Sequence, residues 1–467
     1  MNATECENNR KADVFAGRHA WRTDPVAPGW RNAAVHTAWE GRGQESAPAL
    51  ARPSAPSRSA VTYTPGIVLR GEVDGMRPEL RAAVQSIGLA NLGVGRAVVT
   101  EQTEWVLESD AARSEAHCAW LAILALHYTG DLVSADAQCE RLARDPVWAG
   151  SDRHQELLTL LRARSSLMSG DVARAAELLK ALLARRAPTL PICLTVAWLI
   201  EALVHLGEFD QAHQVLLDHG LVGRLGSHLP DRVHVLAARG ALHMAAGQFR
   251  HAIDDYTACG RILATLNVVN SAVVPWRSRA ALGALAVQRY DLALALAEDE
   301  LIAARKWGSA RGVGTALHAV AMARRDGTSP ALLEEAVQLL ELGHARSELM
   351  QALYDLGMMQ AERKDVVGGR SRLEEVDEVA HACGNAFWAR RVKPALARLN
   401  DPDGSRVLTR QENKIAQLAR AGYSNRRIAE TLFLAVRTVE FHLSSVYRKL
   451  DISGRQELVT ALGVVAP

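Results

Sequence analysis

The chain has 467 residues, of which 48% are hydrophobic and only 5% aromatic, and its net charge is +2. This composition provides apolar residues for buried cores and favours helices over a β-sandwich, because strands are enriched in β-branched and aromatic residues. The charge is uneven: residues 403–467 carry ten Lys/Arg and six Asp/Glu, a net +4, so the remainder carries −2. A basic module at one end indicates a polyanionic ligand there.

Cysteine spacing and hydropathy exclude several classes of protein. The six cysteines are never closer than 21 positions, so the chain has no CxxC metal or redox motif. Residues 1–18 have no apolar signal-peptide core, and the richest apolar stretch, 190–206, is interrupted by Glu201 and too short to span a bilayer. We therefore expect a cytoplasmic protein with no membrane span, no metal and no cofactor.

The N-terminal segment, residues 1–62, contains five prolines and many Arg, Ser and Gly residues without a helical period. This pattern predicts a mostly disordered segment. Its three tryptophans, Trp21, Trp30 and Trp39, are compatible either with a docking motif for a partner or with a loosely packed tail.

Residues 63–399 are predicted to form a helical-repeat domain. A weak repeat of Gly, any residue, an apolar residue, two residues and then Ala or Gly recurs with a period near 40, which is typical of stacked antiparallel helix pairs, an α-solenoid. Glycine ends one helix because it tolerates a left-handed backbone, and the acidic residue after it is predicted to cap the next helix. The copies are Gly130-Asp131-Leu132 with Ala135, Gly170-Asp171-Val172 with Ala175, Gly207-Glu208-Phe209 with Ala212, Gly247-Gln248-Phe249 with Ala252, and degenerate copies at Tyr290 with Ala293 and Val366 with Gly369.

Residues 400–406 form a Pro- and Gly-containing turn cluster and are predicted to be a linker to a separate C-terminal domain, 407–467. Thr409 with Glu412 fits a capping box for helix one, which ends before Gly422, and Ser424 is a predicted N-cap for a short helix two. After a tight turn at 433–436, helix three runs to Leu450. Ser453 with Gln456 predicts a capping box for helix four.

Helix three is amphipathic, with a predicted inward stripe of Val439, Leu443, Val446 and Leu450 at positions i, i+4, i+7 and i+11. Two short helices joined by a tight turn, the second with a polar outer face, are the helix-turn-helix geometry. An α-helix fits the major groove of DNA, where side chains reach base edges and phosphates. The outward face carries Arg437, Glu440, Phe441, Ser444, Ser445 and Arg448.

The whole module resembles the LuxR-type DNA-binding domain. The agreement covers about 55 positions, although Ala435 stands where a Ser usually caps helix three and Asp451 where a Gly usually follows Lys-Leu. The resemblance implies a four-helix module that binds double-stranded DNA as a dimer through helix four and places helix three in the major groove. The matching run is Leu408-Thr409, Glu412, Gly422-Tyr423-Ser424-Asn425, Ile428-Ala429, Leu432-Phe433, Thr438-Val439, His442, Lys449-Leu450, Arg455 and Glu457-Leu458.

The candidate DNA-binding set combines this resemblance with the polar face. Four basic residues are either phosphate contacts or a solvated face: Arg426, Arg427, Arg448 and Lys449. Glu440 either accepts from cytosine N4 or pairs with an arginine, Phe441 is compatible with a thymine methyl contact, and His442 is either packed or a phosphate donor. The full set is Ser424, Asn425, Arg426, Arg437, Thr438, Glu440, Phe441, His442, Ser444, Arg448 and Lys449.

The body resembles the tetratricopeptide-like part of large bacterial LuxR regulators that carry an ATP-binding domain, but no Gly-Lys pair exists to form a phosphate-binding loop. We therefore predict an all-α, non-enzymatic DNA-binding regulator, an activator of a biosynthetic pathway such as antibiotic production. Its expected partners are a second copy, RNA polymerase and a protein or small-molecule effector on the body. The alternative is a helical-repeat adaptor whose C-terminal module mainly dimerises.

Overall fold

The computed structural model describes residues 62–66, 76–185, 192–229, 231–400, 408, 410–432, 436–450 and 452–461. Within these residues the chain forms helices and connecting turns and no strand, which confirms the all-α prediction. No helix in this described part is long and apolar enough to cross a membrane. The predicted N-terminal segment 1–62, except for Thr62, lies outside the described ranges, as do most of the predicted linker and the last six residues.

The body consists of consecutive helices, most of them joined by short turns into packed pairs, as the repeat predicted. The helices are α1 Pro78–Asn91, α2 Arg96–Glu108, α3 Asp110–Ser114, α4 Ala116–Thr129, α5 Leu132–Ala143, α6 Pro146–Ala149, α7 Asp152–Ser169, α8 Val172–Leu183, α9 Ile192–Leu206, α10 Phe209–Asp218, α11 Arg232–Ala245, α12 Phe249–Thr265, α13 Trp276–Ala286, α14 Tyr290–Trp307, α15 Ala310–Arg324, α16 Ser329–Leu342, α17 Arg346–Glu362, α18 Val366–Ala382 and α19 Ala386–Asn400.

The turn within each predicted repeat has the expected left-handed residue. Gly130 and Gly170 have φ of +87° in the turns before α5 and α8. In the two degenerate copies the equivalent residues are Gln288 and Lys364, with φ of +61° and +71°. The left-handed backbone therefore recurs in every copy, but it does not by itself require glycine.

The predicted N-caps hold in two of three cases. Asp131 accepts a hydrogen bond from the Ser134 amide at 3.0 Å, and Asp171 accepts one from the Arg174 amide at 3.3 Å. The prediction for Glu208 was wrong, because its side chain makes no cap bond and instead accepts from Gln211 at 3.2 Å. The longer glutamate side chain is less suited than aspartate to reach back to the amides of the first turn.

The helix pairs wind into a superhelix whose second half folds back onto its first. Side chains from the second half donate to the carbonyl groups in the last turns of α1, α4, α7 and α9, groups that a helix leaves without an internal partner. The bonds are Asn270 Nδ2 to Ala90 O at 2.7 Å, Trp307 Nε1 to Tyr128 O at 2.7 Å, Arg311 to Met168 O at 3.3 Å and Asn385 Nδ2 to His205 O at 3.3 Å.

Two repeat glycines lie where these successive superhelical turns touch. A Cβ atom on Gly170 would lie 2.6 Å from the Cβ of Arg346, and one on Gly207 would lie 2.5 Å from the ring of Phe387. These distances are too short for real carbon contacts, so glycine at these positions is required by close packing.

The first helices of the pairs meet on the inner side of the superhelix through buried ion pairs. Glu201 on α9 accepts from Arg164 on α7 at 3.0 Å and from Arg279 on α13 at 2.6 Å, and all three side chains are less than a quarter exposed. Burial opposes ionisation of Glu201, but Arg279 and Arg164 keep the pKa of its carboxyl far below the ordinary value. Glu201 thus joins three helices as a carboxylate.

Candidate nucleic-acid interface

The C-terminal module has the predicted order of helices. They are α20 Arg410–Arg420, α21 Asn425–Leu432 and α22 Val436–Lys449, followed by a 3₁₀ turn Arg455–Glu457 and α23 Leu458–Ala461. Helices α20 and α21 both pack on α22, which is the arrangement of a helix-turn-helix.

A small apolar core holds α22 in place. The predicted stripe is confirmed: Val439, Leu443 and Val446 are buried, and Leu450 is partly buried at the edge. Because these residues repeat along one side of α22, the opposite side is left to solvent. The rest of the core is Ile415, Ala416, Ala419, Ile428, Ala429 and Leu458, with Leu408, Leu418, Tyr423, Leu432, Tyr447 and Ile452 packed around it.

The turn between α20 and α21 is built as the sequence predicted. Gly422 has φ of +88°, and the Ser424 hydroxyl accepts from the Arg427 amide at 3.3 Å, so Ser424 caps α21. This cap occupies the Ser424 oxygen at the helix N-terminus, where an incoming phosphate would also be attracted. Ser424 itself is exposed.

Arg455, near the C-terminal end of the module, stabilises this turn through hydrogen bonds. The spacing of apolar residues in the sequence did not predict these bonds. Its guanidinium donates to the backbone carbonyls of Ala419, at 3.0 Å, and Tyr423, and to the Asn425 side-chain oxygen at 3.1 Å. The planar fork of arginine suits three acceptors at once. Asn425, a candidate DNA contact, therefore has its oxygen committed within the protein, which fixes the orientation of its amide group.

Two cationic side chains lie at the start of α21. Arg426 and Arg427 are both exposed, and the Arg427 guanidinium lies 4.9 Å from the centroid of the Tyr423 ring. Such a cation–π contact orients the guanidinium while leaving its N–H groups available. These positions suit phosphate contacts, and the basic charge lies beside the helix that would enter the groove.

On α22 the described polar side chains divide by exposure. Glu440 and Ser444 are exposed, whereas His442 and Ser445 are half-buried. The Ser444 hydroxyl donates to the Glu440 carbonyl at 3.0 Å, a bond within the helix. No cation among the described side chains of the module forms an ion pair with the exposed Glu440 carboxylate.

Five candidate residues have side chains outside the described part of the structure: Arg437, Thr438, Phe441, Arg448 and Lys449. Their backbone lies on α22 as predicted, but their contacts with DNA stay predictions. Thr409, the predicted cap of α20, and Ala435 also lie outside the described residues, while Glu412 is buried.

The predicted capping box at Ser453 was wrong in its partner. The Ser453 amide donates to the Glu457 carboxylate at 3.0 Å, four residues away, where Gln456 was predicted. The shift follows from where helix four begins: its N-cap is Gly454 rather than Ser453, so Glu457 rather than Gln456 is the third residue of its first turn.

Residues 406–462 match the model of the bacterial regulatory proteins, luxR family. Over 60 residues the chain is 43% identical to the oxygen regulatory protein NreC of Staphylococcus carnosus and to that of Staphylococcus haemolyticus. It is 40% identical over 60 residues to that of Staphylococcus aureus. These residues are 13% of this chain and 27% of the first two relatives, so the match spans about a quarter of their length.

Among solved structures, the chain is similar to the crystal structure of a Rap protein complexed with competence and sporulation factor. The TM-score is 0.42 at 11% sequence identity, and the match covers 73% of this chain and 98% of that chain.

Proposed function

We propose that this chain, whose C-terminal module is a LuxR-type helix-turn-helix domain, is a sequence-specific DNA-binding transcription regulator. The observation that carries the proposal is the division of α22: one side is buried against α20 and α21, and the other side carries the exposed polar residues Glu440 and Ser444. A helix of this kind enters the major groove, where side chains reach base edges.

In the proposed complex, the residues that bind the DNA phosphates differ from the residues that recognise the bases. Arg426 and Arg427, with the cap at Ser424, contact phosphates and set the register of the module on the duplex. Glu440 accepts from the amino group of a cytosine, and His442 lies at the edge of the contact. Arg437, Thr438, Phe441, Ser444, Arg448 and Lys449 complete the proposed surface.

The rest of the proposal concerns regulation. Two copies pair through helix four and bind adjacent half-sites, and the helical body responds to an effector that sets the availability of the two DNA-binding modules. The proposed regulator is cytoplasmic, contacts RNA polymerase and activates a biosynthetic pathway, antibiotic production being one such pathway. It has no enzymatic activity of its own.

The salt dependence of binding tests this proposal against the alternative of a dimerising adaptor. Affinity of the full chain for a labelled duplex should fall with salt, with a log–log slope near −0.9 per neutralised phosphate. Arg426→Ala removes one phosphate contact from each of the two copies, so it should reduce the slope by about two units. Lys180→Ala, on helix α8 of the body, is the matched charge control and should leave the slope unchanged. Dimerisation without duplex binding at any salt concentration would support the adaptor.

A further inference from the structure

Residues 62–66, with the sequence Thr-Tyr-Thr-Pro-Gly, lie outside the helices and cross the inner side of the body. Trp120 Nε1 on α4 donates to the Pro65 carbonyl at 2.9 Å, and Asn91 Nδ2 at the end of α1 donates to the Tyr63 carbonyl at 2.8 Å. The Gly66 amide donates to Asp231 Oδ1, just before α11, at 2.9 Å. Three elements far apart in sequence therefore hold one short segment.

The side chains of residues 62–66 also pack against the body. The Tyr63 ring stacks on the ring of His234, with centroids 6.4 Å apart, and Pro65 is buried. Burial lowers the pKa of His234 to about 3, so this imidazole is neutral at physiological pH and suits an aromatic neighbour. We call the surface formed by Asn91, Trp120, Asp231 and His234 the inner groove.

The inner groove uses side chains to recognise main-chain groups. Peptide-binding surfaces work in this way: hydrogen bonds to the ligand backbone supply affinity for any extended chain, and pockets for particular side chains supply selectivity. Here the ring of Tyr63 lies against His234, and two residues later Pro65 is buried. Helical packing alone needs none of these hydrogen bonds, because the helices satisfy their own backbone groups.

The resident segment leaves polar atoms in this region without partners. In the described structure Trp198 Nε1, His234 Nε2 and Asn91 Oδ1 are buried and have no hydrogen-bond partner. Trp198 and His234 are 2% and 7% exposed, and their rings meet edge to face with centroids 6.2 Å apart. Buried polar groups are nearly always satisfied, so the groove offers a second ligand bonds that residues 62–66 do not make.

We propose that the inner groove is a binding site for an extended peptide carrying an aromatic residue two positions before a proline, and that residues 62–66 occupy it as an intramolecular ligand. A partner with this sequence pattern displaces the resident segment by making the same backbone bonds and adding bonds to the unpartnered atoms. This assigns a chemical class to the effector, and in that respect it rests on the proposed regulatory function. Its test involves no DNA, so either proposal can fail alone.

Binding of a free peptide tests the groove directly in the full chain. The probe is a fluorescein-labelled peptide with the sequence of residues 61–66, blocked at both ends. In the wild-type protein the tethered segment competes at an effective concentration on the order of millimolar. Tyr63→Ala removes the stacked ring from this competitor, so the variant should bind the probe at least tenfold more tightly than the wild type in fluorescence polarisation.

A second variant and matched controls separate this result from misfolding. Gly66→Pro removes the N–H that donates to Asp231, and because Gly66 has φ of +76° proline cannot adopt its conformation, so this variant should also bind more tightly. Tyr290→Ala removes an exposed tyrosine of the body, 54% exposed, and should behave as wild type.

Trp120→Phe added to Tyr63→Ala removes one donor of the groove and should reduce probe binding about fivefold. A probe with alanine in place of its tyrosine should bind no variant. Equal probe affinity for wild type, Tyr63→Ala and Gly66→Pro would overturn the proposal, as would unchanged binding of the alanine probe.

Discussion

The helical body is stabilised by contacts between residues that are far apart in the sequence, whereas the C-terminal module is stabilised by contacts between residues that are closer together. In the body, Glu201 pairs with Arg279, and Asn385 bonds to His205 across 180 residues. In the module, the apolar core and the Arg455 contacts lie within about fifty residues. Local contacts leave a readable pattern in the sequence, whereas contacts between superhelical turns do not. The module could therefore be recognised from its residues, and the closure of the body could not.

The largest expected effect concerns the contact between superhelical turns. Gly170→Ala places a Cβ against the Cβ of Arg346, which cannot rotate away, and also puts alanine at φ of +87°. Overpacking and the left-handed backbone together should lower the free energy of unfolding by about 4 kcal/mol. Urea unfolding followed by circular dichroism measures this loss.

Gly220→Ala is the matched control for this glycine. Gly220 also has a positive φ, +66°, but a Cβ atom added there would meet nothing within 4 Å. Only the backbone cost of about 1 kcal/mol should remain. Equal losses in the two variants would show that the superhelical contact contributes nothing beyond the backbone conformation.

The second prediction concerns the inner ion pairs. Glu201→Ala leaves Arg164 and Arg279 buried without their shared partner, which should cost about 3 kcal/mol of unfolding free energy. Glu298→Ala breaks an exposed pair with Arg324, both about 40% exposed, and should cost less than about 1 kcal/mol. If both variants unfold alike, Glu201 does not join the inner helices energetically.

In the C-terminal module, Arg455 joins several elements in the way that Glu201 joins helices of the body. Arg455→Lys keeps the charge but loses the fork that reaches Ala419, Tyr423 and Asn425, so the module should lose about 2 kcal/mol of stability. Calorimetry should show the transition of the module at lower temperature and the transition of the body unchanged. A shift of both transitions would contradict the independence of the two regions.

The smallest effect is expected on the polar face of α22. Glu440→Ala should reduce discrimination at one base position by about 1 kcal/mol, because the cytosine amino group loses its acceptor. Thr431→Ala on α21 is the control, since the Thr431 hydroxyl donates to the Arg427 carbonyl within its own helix. Competition binding with duplexes that differ at single positions measures both variants. Unchanged preference in Glu440→Ala would assign base reading to other residues.

Residue patterns predicted the order of the module's helices, the turn between its first two helices and the apolar stripe of α22. The Gly422 turn, the Ser424 cap and the stripe from Val439 to Val446 follow from local chemistry and are present in the structure. Arg455 bonds to residues 30 to 36 positions away, so the spacing of residues within a helix cannot predict these contacts.

In the body, the turn glycines were predicted for their backbone conformation alone. Gln288 and Lys364 show that this conformation is available to other residues, while Gly170 is required by its contact with Arg346. That contact joins positions 176 residues apart, and only the folded superhelix reveals it. The ion pairs of Glu201 could not be predicted from the sequence either, because the residues around a charged position in an apolar helix do not indicate which distant residues pair with it.

Selection of binding sites from a pool of randomised duplexes by the full-length protein measures directly whether α22 recognises a DNA sequence. We expect enrichment of a two-fold symmetric sequence, and we expect the Glu440→Ala variant to select a sequence with less base preference at one position of each half-site. Recovery of unenriched, random duplexes by the folded wild-type protein would contradict this expectation.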